Sequence, residues 1–564
     1  MKCVNKLIQG YEDTKLLHYN ELSPTSDKLV PYRDLPNREI SGVLKANLHL
    51  NGELYQLYTP QENHVGVIAA TRMGKTTQYV IPTILSFAKA KNKRSMVISD
   101  PKGELFRLLS QTLKEEGYKV KLVNFRDFLH SEYWNPLTPI YDKYVRAYNL
   151  EDEVEVVQTS NGPRNKFLGV VYEDQKQLDK ALKQMKNLAM EDVANEIDNL
   201  ATRFITIDNP RDPYWSESAR DLLKAGVWAM LEDVNPPEGV EPITKDTFSI
   251  KTLISIMDTM QDDEGTYYND EGYFSARPKD SRAYALAKNC ILENGRPTRK
   301  CIVSMFNTEL NVFKTSTVKL LTSCNSFNFD ELTDESQPVA VFVSYMDELK
   351  THYKIISSFI QSAYNHLIQY ANNKPSGKLD TPFYFILDEF GNFPAITDFE
   401  TVISACGGRN IFFILILQSY AQLNNVYGSD VAEIIKDNLN VHCFIGSNNP
   451  PTLTDFSREC GEWTRIAPIS ALNGSSEEID SYHIETIPLV PKSMLTKLQI
   501  GECIVTEANC GYVLLSKLQR YYLCKEFSGL VETSTDSYKC DVNPLDDRYE
   551  YVFKPRKKRS KFDF

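Results

Sequence analysis

The sequence predicts an α/β fold in which a mainly parallel β-sheet is covered by helices and interrupted by an all-α insertion. Short, uniformly apolar runs alternate with helical patterns in two separate parts of the chain. Such runs are typical of strands buried on both faces of a parallel sheet, and their alternation with helices indicates α/β architecture. The predicted strands span 64–69, 95–100, 119–125, 338–345, 384–389, 411–417 and 441–446.

Local patterns predict three further elements. Two alternating runs between 42 and 59 meet at Asn51-Gly52, a dipeptide that favours a tight β-hairpin. Between 174 and 201, apolar residues recur every three or four positions, which predicts one long amphipathic helix. Helical patterns continue from 216 to 325, where strand patterns are nearly absent. This last part is therefore predicted to be the all-α insertion.

Composition excludes several classes of protein. The 564 residues carry a net charge of −12, so any DNA contact is expected to be local rather than spread over the surface. The eleven cysteines form no CxxC pair, which indicates neither a disulfide framework nor a structural metal and favours a reduced, cytoplasmic setting. No run approaches the roughly 20 apolar residues of a membrane span, and the N-terminus lacks the apolar stretch of a signal peptide.

The segment AATRMGKTT, residues 69–77, lies between a predicted strand and a predicted helix, where a phosphate-binding loop must lie. Gly74, Lys75 and Thr76 match the pattern G-x-x-x-x-G-K-[ST], whereas Ala69 occupies the first glycine position. The pattern predicts ATP as the ligand, with Lys75 bridging the β- and γ-phosphates and Thr76 binding Mg²⁺. The alternative is a glycine-containing turn without a ligand. The predicted nucleotide-contacting residues are Ala70, Thr71, Arg72, Met73, Gly74, Lys75, Thr76 and Thr77.

An acidic pair ends the predicted strand in YFILDEF, residues 384–390. Polar residues at the carboxyl end of a parallel strand lie at the ligand-binding edge of the sheet. We therefore expect Asp388 to bind Mg²⁺ together with Thr76, and Glu389 to orient and polarise the attacking water. Taken alone, the pair would also fit a strand that ends in solvated acids.

Two polar residues flank the apolar run in GGRNIFFILILQS, residues 407–419. An arginine supplied in trans can stabilise the charge that develops on a γ-phosphate. Arg409 is the candidate for such an arginine finger, reaching the site of a neighbouring subunit in a ring. Gln418 is the candidate for a sensor of the γ-phosphate. Structural roles for both residues are the alternative.

The ordered set of motifs resembles the TraG and TraD type of conjugative coupling protein. Its pieces are ATRMGKTT (70–77), DPKGEL (100–105), WNPL (134–137), ILDEFGNFPAI (386–396) and the block from 407 to 428. The resemblance covers about residues 60–140 and 335–465. It implies a RecA-like P-loop ATPase with an all-α domain inserted between the two ATPase motifs.

The resemblance also implies partners. It implies a homo-hexamer that recruits a relaxase bound to single-stranded DNA, or a protein cargo, and drives it to a type IV secretion channel. It places such a protein in the cytoplasm, peripheral at the inner face of the cell membrane. Because the usual N-terminal transmembrane helices are missing from the sequence, membrane contact is expected through partners or through an anchor lost from a shortened chain.

Five parts are predicted along the chain. They are an N-terminal segment with the hairpin (1–60), the first part of the nucleotide-binding domain (61–215), the all-α insertion (216–325), the second part of the nucleotide-binding domain (326–535) and a basic C-terminal tail (536–564). The tail contains KPRKKRSK, which is either solvated or contacts nucleic acid or a partner. Asp100 of DPKGEL is either a structural or a catalytic residue.

Three other functions fit the same motifs. One is a double-stranded DNA translocase of the FtsK/HerA type, which strand-specific stimulation of ATP hydrolysis would distinguish. Another is an ATP-binding docking platform for secreted proteins, which would bind nucleotide with negligible DNA-stimulated turnover. The third is a metabolic P-loop kinase, which the helical insertion and the lack of a small-molecule acceptor signature disfavour.

Overall fold

The computed structural model describes residues 15–22, 29–159, 162–207, 211–236, 241–259, 273–346, 348, 350–469 and 481–552. The chain divides into two compact units. We call Met1–Asn124 with Phe329–Tyr538 the sheet unit, and Phe125–Asn328 with Lys539–Phe564 the helical unit.

The strands and helices are numbered in chain order. The strands are β1 (Lys15–His18), β2 (Leu29–Pro31), β3 (Leu44–Leu50), β4 (Glu53–Tyr58), β5 (Val65–Ala69), β6 (Ser95–Asp100), β7 (Lys119–Asn124), β8 (Glu155–Thr159), β9 (Gly162–Phe167), β10 (Val170–Tyr172), β11 (Val339–Ser344), β12 (Phe383–Leu387), β13 (Ile411–Leu417), β14 (Val441–Gly446), β15 (Glu462–Ile469), β16 (Ser481–Pro488), β17 (Glu502–Glu507) and β18 (Tyr512–Lys517). The helices are α1 (Ile81–Lys89), α2 (Glu104–Glu115), α3 (Thr138–Tyr148), α4 (Gln175–Phe204), α5 (Tyr214–Glu232), α6 (Ile250–Thr259), α7 (Arg282–Ala287), α8 (Arg296–Glu309), α9 (Ser316–Leu321), α10 (Lys350–Asn373), α11 (Phe399–Cys406), α12 (Tyr420–Tyr427), α13 (Ser429–Asn438), α14 (Pro450–Glu459) and α15 (Lys492–Leu495). A π-helical turn, Thr76–Val80, directly precedes α1.

The central sheet contains ten of the described strands, in the order β1-β18-β17-β14-β5-β13-β12-β6-β11-β7. From β14 to β7 neighbouring strands pair in parallel, whereas β17 pairs antiparallel with both β14 and β18. Strands β5, β6, β11, β12 and β13 are buried along their whole length, because helices cover both faces of a parallel sheet. The predicted mainly parallel sheet is confirmed, and the carboxyl ends of its parallel strands meet at one edge.

The hairpin predicted at Asn51-Gly52 is formed by β3 and β4, with Leu50 opposite Glu53. Asn51 and Gly52 have φ angles of +53° and +81°, the left-handed conformation that a two-residue hairpin turn favours. With β2 these strands form a separate three-stranded sheet. Its apolar residues join the same hydrophobic core as those of the central sheet.

Helices α3 to α9 make up most of the helical unit, together with a small antiparallel sheet in the order β10-β9-β8. The long amphipathic helix predicted from 174 is α4, and the Asp174 side chain caps its first turn. Helix α4 packs among other helices: Lys143 of α3 lies 3.0 Å from Glu196, and Lys224 of α5 lies 3.2 Å from Asp198.

The two units divide the chain differently from the five predicted parts. The first boundary lies between Asn124 and Phe125, whereas the predicted boundary at 215 and 216 falls inside α5. Helix α4 and the strands β8 to β10 therefore belong to the helical unit. The later boundaries, at 328 and 538, lie within three residues of the predicted ones.

Within the described ranges, no helix is both long enough and apolar enough to cross a membrane. The basic run predicted at 554–561 lies outside the described residues.

Candidate nucleotide-binding site

The loop between β5 and the π-helical turn has the backbone of a phosphate-binding loop. Arg72 and Gly74 adopt positive φ angles of +68° and +94°. Ala69 ends β5, is fully buried and does not adopt a positive φ. The first position of the motif therefore needs no glycine in this chain, which explains why alanine fits there.

Backbone hydrogen bonds close the loop. The Ala70 N–H donates to the Gly446 carbonyl at the end of β14 (2.7 Å), and the Met73 N–H donates to the Ala70 carbonyl (3.1 Å). The π-helical turn and α1 then continue the chain as one helical run, beginning at Thr76. The N-terminus of a helix favours anions, because its first N–H groups and its dipole point toward them.

Lys75 lies between the two predicted carboxylates. Its Nζ atom is 3.0 Å from Asp388 Oδ1 and also forms a hydrogen-bonded ion pair with Glu389. Asp388 follows β12, which is separated from β5 only by β13. The two predicted halves of the site therefore meet at the carboxyl edge of the sheet, on the same side.

Burial and ion pairing have opposing effects on the pKa values of Asp388 and Lys75. Burial raises the pKa of Asp388 above its usual range, although Lys75 opposes that shift. Burial also disfavours the charge on Lys75, but the two carboxylates outweigh it and raise the pKa of the ammonium above its ordinary value. Lys75 therefore stays charged and holds the acidic pair in place.

Glu389 has an unusual backbone conformation, with φ +55° and ψ +34°. Non-glycine residues in this left-handed region are uncommon, and strain of this kind clusters at functional sites. The Asp388 side chain accepts a hydrogen bond from the Glu389 N–H (2.8 Å), which supports the turn. This turn brings both carboxylates to the same ammonium.

Gln418 joins the site from the end of β13. Its Nε2 donates to Glu389 Oε2 (2.9 Å), so it contacts the carboxylate predicted to orient water. The Gln418 N–H donates to Gln422 Oε1 (3.0 Å), and Asn392 lies 3.5 Å from both Gln422 and Glu389. Sequence reasoning missed Asn392 and Gln422. The available signal was that both lie within motifs that carry the family resemblance.

Arg409 lies at the opposite edge of the sheet. It precedes β13, whereas Gln418 follows it, and a strand of seven residues spans about 20 Å. Within the chain, Arg409 donates to Asn372 Oδ1 (2.8 Å) and to the Ala405 carbonyl (2.9 Å). One chain therefore does not bring Arg409 to Lys75, and the predicted role in trans stays a prediction.

Asp100 ends β6 and acts as a capping residue. Its Oδ2 accepts the N–H of Phe106 in the first turn of α2 (2.9 Å). Burial raises the pKa of Asp100 to about 6, and the nearby Asp388 adds to that shift. Of the two interpretations left open for this residue, these contacts favour the structural one.

Thr76 and Asp388 are suited to Mg²⁺. A hydroxyl and a carboxylate are oxygen ligands of the kind that Mg²⁺ prefers. Thr76 directly follows Lys75, whose ammonium already contacts Asp388, so both oxygen donors lie at the same edge of the sheet. The donor set therefore fits the metal predicted from the sequence.

Fold and site together define a RecA-like P-loop protein with a helical unit. The chain belongs to the family described as Type IV secretory system Conjugative DNA transfer, whose sequence pattern matches residues 26–528. The predicted resemblance to conjugative coupling proteins is thereby confirmed.

Characterised relatives carry related names. The chain is 22% identical to Protein VirD4 of Rhizobium rhizogenes and of Agrobacterium fabrum over 405 residues, which is 72% of this chain and 50% of each relative. It is also 22% identical to the Conjugal transfer protein TraG of Escherichia coli over 470 residues, 82% of this chain and 63% of that protein. The chain thus spans about half the length of the VirD4 relatives.

Solved structures of the plasmid coupling protein TrwB share the fold. The unbound form of TrwBdeltaN70 superposes with a TM-score of 0.56 at 13% identity, covering 90% of this chain and 94% of that solved chain. TrwB in complex with an ATP analogue gives 0.56 at 14% identity, and its complex with ADP and Mg²⁺ gives 0.55 at 15%. In these two comparisons 92% of this chain and 97% of the solved TrwB chain are covered.

Proposed function

We propose that this chain is an ATP-hydrolysing coupling protein that brings a relaxase–single-stranded DNA substrate, or a protein cargo, to a type IV secretion channel. The observation that carries the proposal is the contact of Lys75 with both Asp388 and Glu389. It joins a glycine loop at a helix N-terminus to a pair of acids, the combination that binding and hydrolysis of a nucleoside triphosphate need. Family membership supports the transfer role.

Each residue of the site has a proposed task. Residues 70–77 cradle the phosphates of ATP, and Lys75 exchanges its carboxylate partners for the β- and γ-phosphates. Thr76 and Asp388 hold Mg²⁺, which neutralises phosphate charge when bound. Glu389 accepts a proton from the attacking water or orients it, as a carboxylate within hydrogen-bond reach can do.

Gln418 links the nucleotide to the rest of the sheet unit. Because it donates to Glu389, any change in the position of that carboxylate also changes the hydrogen bonds of Gln418. Gln418 in turn is bonded through its N–H to Gln422 of α12. We propose that this chain of contacts senses whether a γ-phosphate is bound.

A ring of identical subunits would place Arg409 near the nucleotide site of a neighbouring subunit. Its guanidinium lies at the amino edge of the sheet, far from the Lys75 of its own chain. In a closed ring, one surface of each subunit meets a different surface of the next, so a residue remote from its own site can face that of a neighbour. We propose a homo-hexamer in which Arg409 completes the neighbouring site.

The net charge of −12 restricts how DNA is held. Neutralising many phosphates requires clustered Lys and Arg, so we propose local contacts in the central channel of the ring. We further propose that the ring works at the inner face of the cell membrane.

The decisive experiment measures phosphate release from MgATP by the purified chain alone, with single-stranded DNA and with duplex DNA. Stimulation by single strands supports the proposal, whereas stimulation only by duplex DNA favours a double-stranded DNA translocase. Nucleotide binding without DNA-stimulated turnover favours a docking platform. Glu389→Gln serves as the inactive control, because it keeps the size of the side chain and removes the base.

A further inference from the structure

Gln78 lies directly beneath the phosphate loop, in the π-helical turn. Its side chain is buried, with 1% of the residue exposed. The amide Nε2 donates to the carbonyl of Met73 in the loop (3.1 Å), and the Gln78 N–H donates to the Gly74 carbonyl (2.8 Å). Gln78 therefore donates hydrogen bonds to two consecutive carbonyl groups of the loop, one from its side chain and one from its backbone.

The same side chain occupies the space that Gly74 leaves open. A Cβ atom at position 74 would lie 2.4 Å from Gln78 Nε2, closer than any real contact. Gly74 also needs its φ of +94°, which side-chain-bearing residues rarely adopt. Because Gly74 has no side chain, the side chain of Gln78 can occupy the space beside it.

Gln78 carries a cost that packing alone does not explain. Within the described part of the chain, its buried Oε1 atom has no hydrogen-bond partner. A buried acceptor without a partner destabilises the folded protein, and an apolar side chain of the same shape would avoid that penalty. The π-helical turn that holds Gln78 is itself a rare local geometry that is frequent at functional sites.

We propose that Gln78 is a positioning residue that preorganises the phosphate loop for nucleotide. Its amide turns the Met73 carbonyl inward, away from the phosphates, and holds Gly74 in the left-handed conformation that lets loop N–H groups converge. Binding energy is then not spent on ordering the loop. The inference rests on the proposed nucleotide site, and it adds a residue outside the predicted contacts at 70–77.

Gln78→Met tests the proposal, because methionine has a similar length and volume but no donor. We expect the dissociation constant for MgADP, measured by calorimetry, to rise about 3- to 10-fold, the effect of losing one hydrogen bond. Turnover at saturating MgATP stays within about twofold, since Lys75 and Glu389 are untouched. The thermal unfolding midpoint does not fall, because the variant also removes the unpaired acceptor.

Tyr79→Phe is the matched control. Tyr79 is the next residue, is equally buried, and its hydroxyl also lacks a partner among the described residues. Because this hydroxyl makes no hydrogen bond to the loop, the variant is expected to leave MgADP affinity unchanged. Gln78→Glu is a second variant of the same size whose carboxylate cannot donate to Met73, and we expect it to weaken MgADP binding at least as much as Gln78→Met.

Three outcomes would overturn the positioning role: MgADP affinity within twofold of wild type in both variants at position 78, an equal loss of affinity in Tyr79→Phe, or a lower unfolding midpoint with unchanged affinity. If Gln78→Met does not fold, the MgADP affinity of Gln78→Glu decides whether Gln78 has the positioning role. A wild-type chain that binds no MgADP overturns the proposed nucleotide site as well, which separates the two failures.

Discussion

At each edge of the central sheet a buried basic side chain forms a cluster with one or more carboxylates. The two clusters differ in how their charges balance. At the amino edge, Arg94 is fully buried and lies 2.5 Å from Glu62, whose second oxygen accepts the Tyr384 hydroxyl (2.5 Å). One cation meets one anion there. At the carboxyl edge, Lys75 meets two anions, Asp388 and Glu389.

The surplus of charge distinguishes the amino-edge cluster from the cluster that we propose to be functional. The amino-edge pair is neutral, and Arg94 is further satisfied by the Ile40 carbonyl (2.6 Å). The carboxyl-edge cluster has one uncompensated negative charge, a left-handed residue at Glu389 and a glycine loop beside it. A divalent cation with a phosphate ligand would balance the charge of such a cluster, whereas the charges of the amino-edge pair already balance each other.

Arg409 is the exception that tests this comparison, since it lies at the amino edge but is proposed to act in catalysis. We expect Arg409→Ala to reduce ATP turnover of the assembled ring about 1,000-fold, the lower end of the effect of an arginine finger. Mixing it with Lys75→Ala, which we also expect to be nearly inactive, should restore activity, because the Lys75→Ala subunit supplies an intact Arg409 to an intact neighbouring site. Phosphate release across mixing ratios measures this complementation.

The control for Arg409 is Asn372→Ala, which removes the side chain that holds the guanidinium within its own chain. It is expected to keep most of the turnover. If Asn372→Ala loses as much activity as Arg409→Ala, and no mixture recovers any, Arg409 is structural and the amino edge carries no function.

Lys75→Ala addresses the carboxyl edge directly. We expect turnover to fall about 100- to 1,000-fold, because the variant removes a preorganised charge that faces the transferring phosphoryl group. The fold is retained, as judged by circular dichroism, since Lys75 lies in a loop that is closed by backbone hydrogen bonds. Lys91→Ala, which breaks an exposed ion pair with Glu39, is the matched control. Turnover equal to that of the control would remove the site assignment.

The carboxyl edge was predictable because its parts are local. A strand, a glycine loop and a helix within 64–89 predict a phosphate site without any knowledge of distant contacts, and Asp388 is placed by the strand that precedes it. Asn392 and Gln422 were missed, and their only signal was that both lie within motifs that carry the family resemblance. Their contact joins a short 3-10 turn, Phe390–Asn392, to α12 across 30 positions of the chain, and neither residue type signals this in the sequence.

The extent of the helical unit was also not predictable from the sequence. An amphipathic helix such as α4 has the same sequence pattern whether it packs on a sheet or on another helix. The pattern therefore did not predict the boundary between the two units at 124. The strands β8 to β10 were missed for a different reason. Most of their described side chains are exposed or half-buried, and the strands include many polar residues, so no uniformly apolar run marks them.

The amino-edge pair is predicted to matter for stability alone. Glu62→Ala leaves the guanidinium of Arg94 buried without its carboxylate, and we expect the free energy of unfolding to fall by about 3 to 5 kcal/mol. Urea unfolding measures this, and MgADP affinity in the folded variant should equal that of wild type. Glu39→Ala is the control at an exposed pair. A loss of nucleotide affinity with unchanged stability would reverse the contrast between the edges.

The smallest effect is expected from Asp100, a third carboxylate at the carboxyl edge, and it concerns pH. Burial raises the pKa of Asp100 from 3.8 to about 6, so between about pH 4 and 6 the folded chain binds more protons than the unfolded chain. The free energy of unfolding therefore falls as pH rises through this window, by about 2 to 3 kcal/mol for a shift of this size. Asp100→Asn keeps an acceptor for the Phe106 N–H but does not titrate, so urea unfolding of wild type and variant should converge or cross between pH 4 and 6. Parallel pH curves would mean that Asp100 is ionised throughout, and that the carboxyl edge tolerates more negative charge than its single lysine balances.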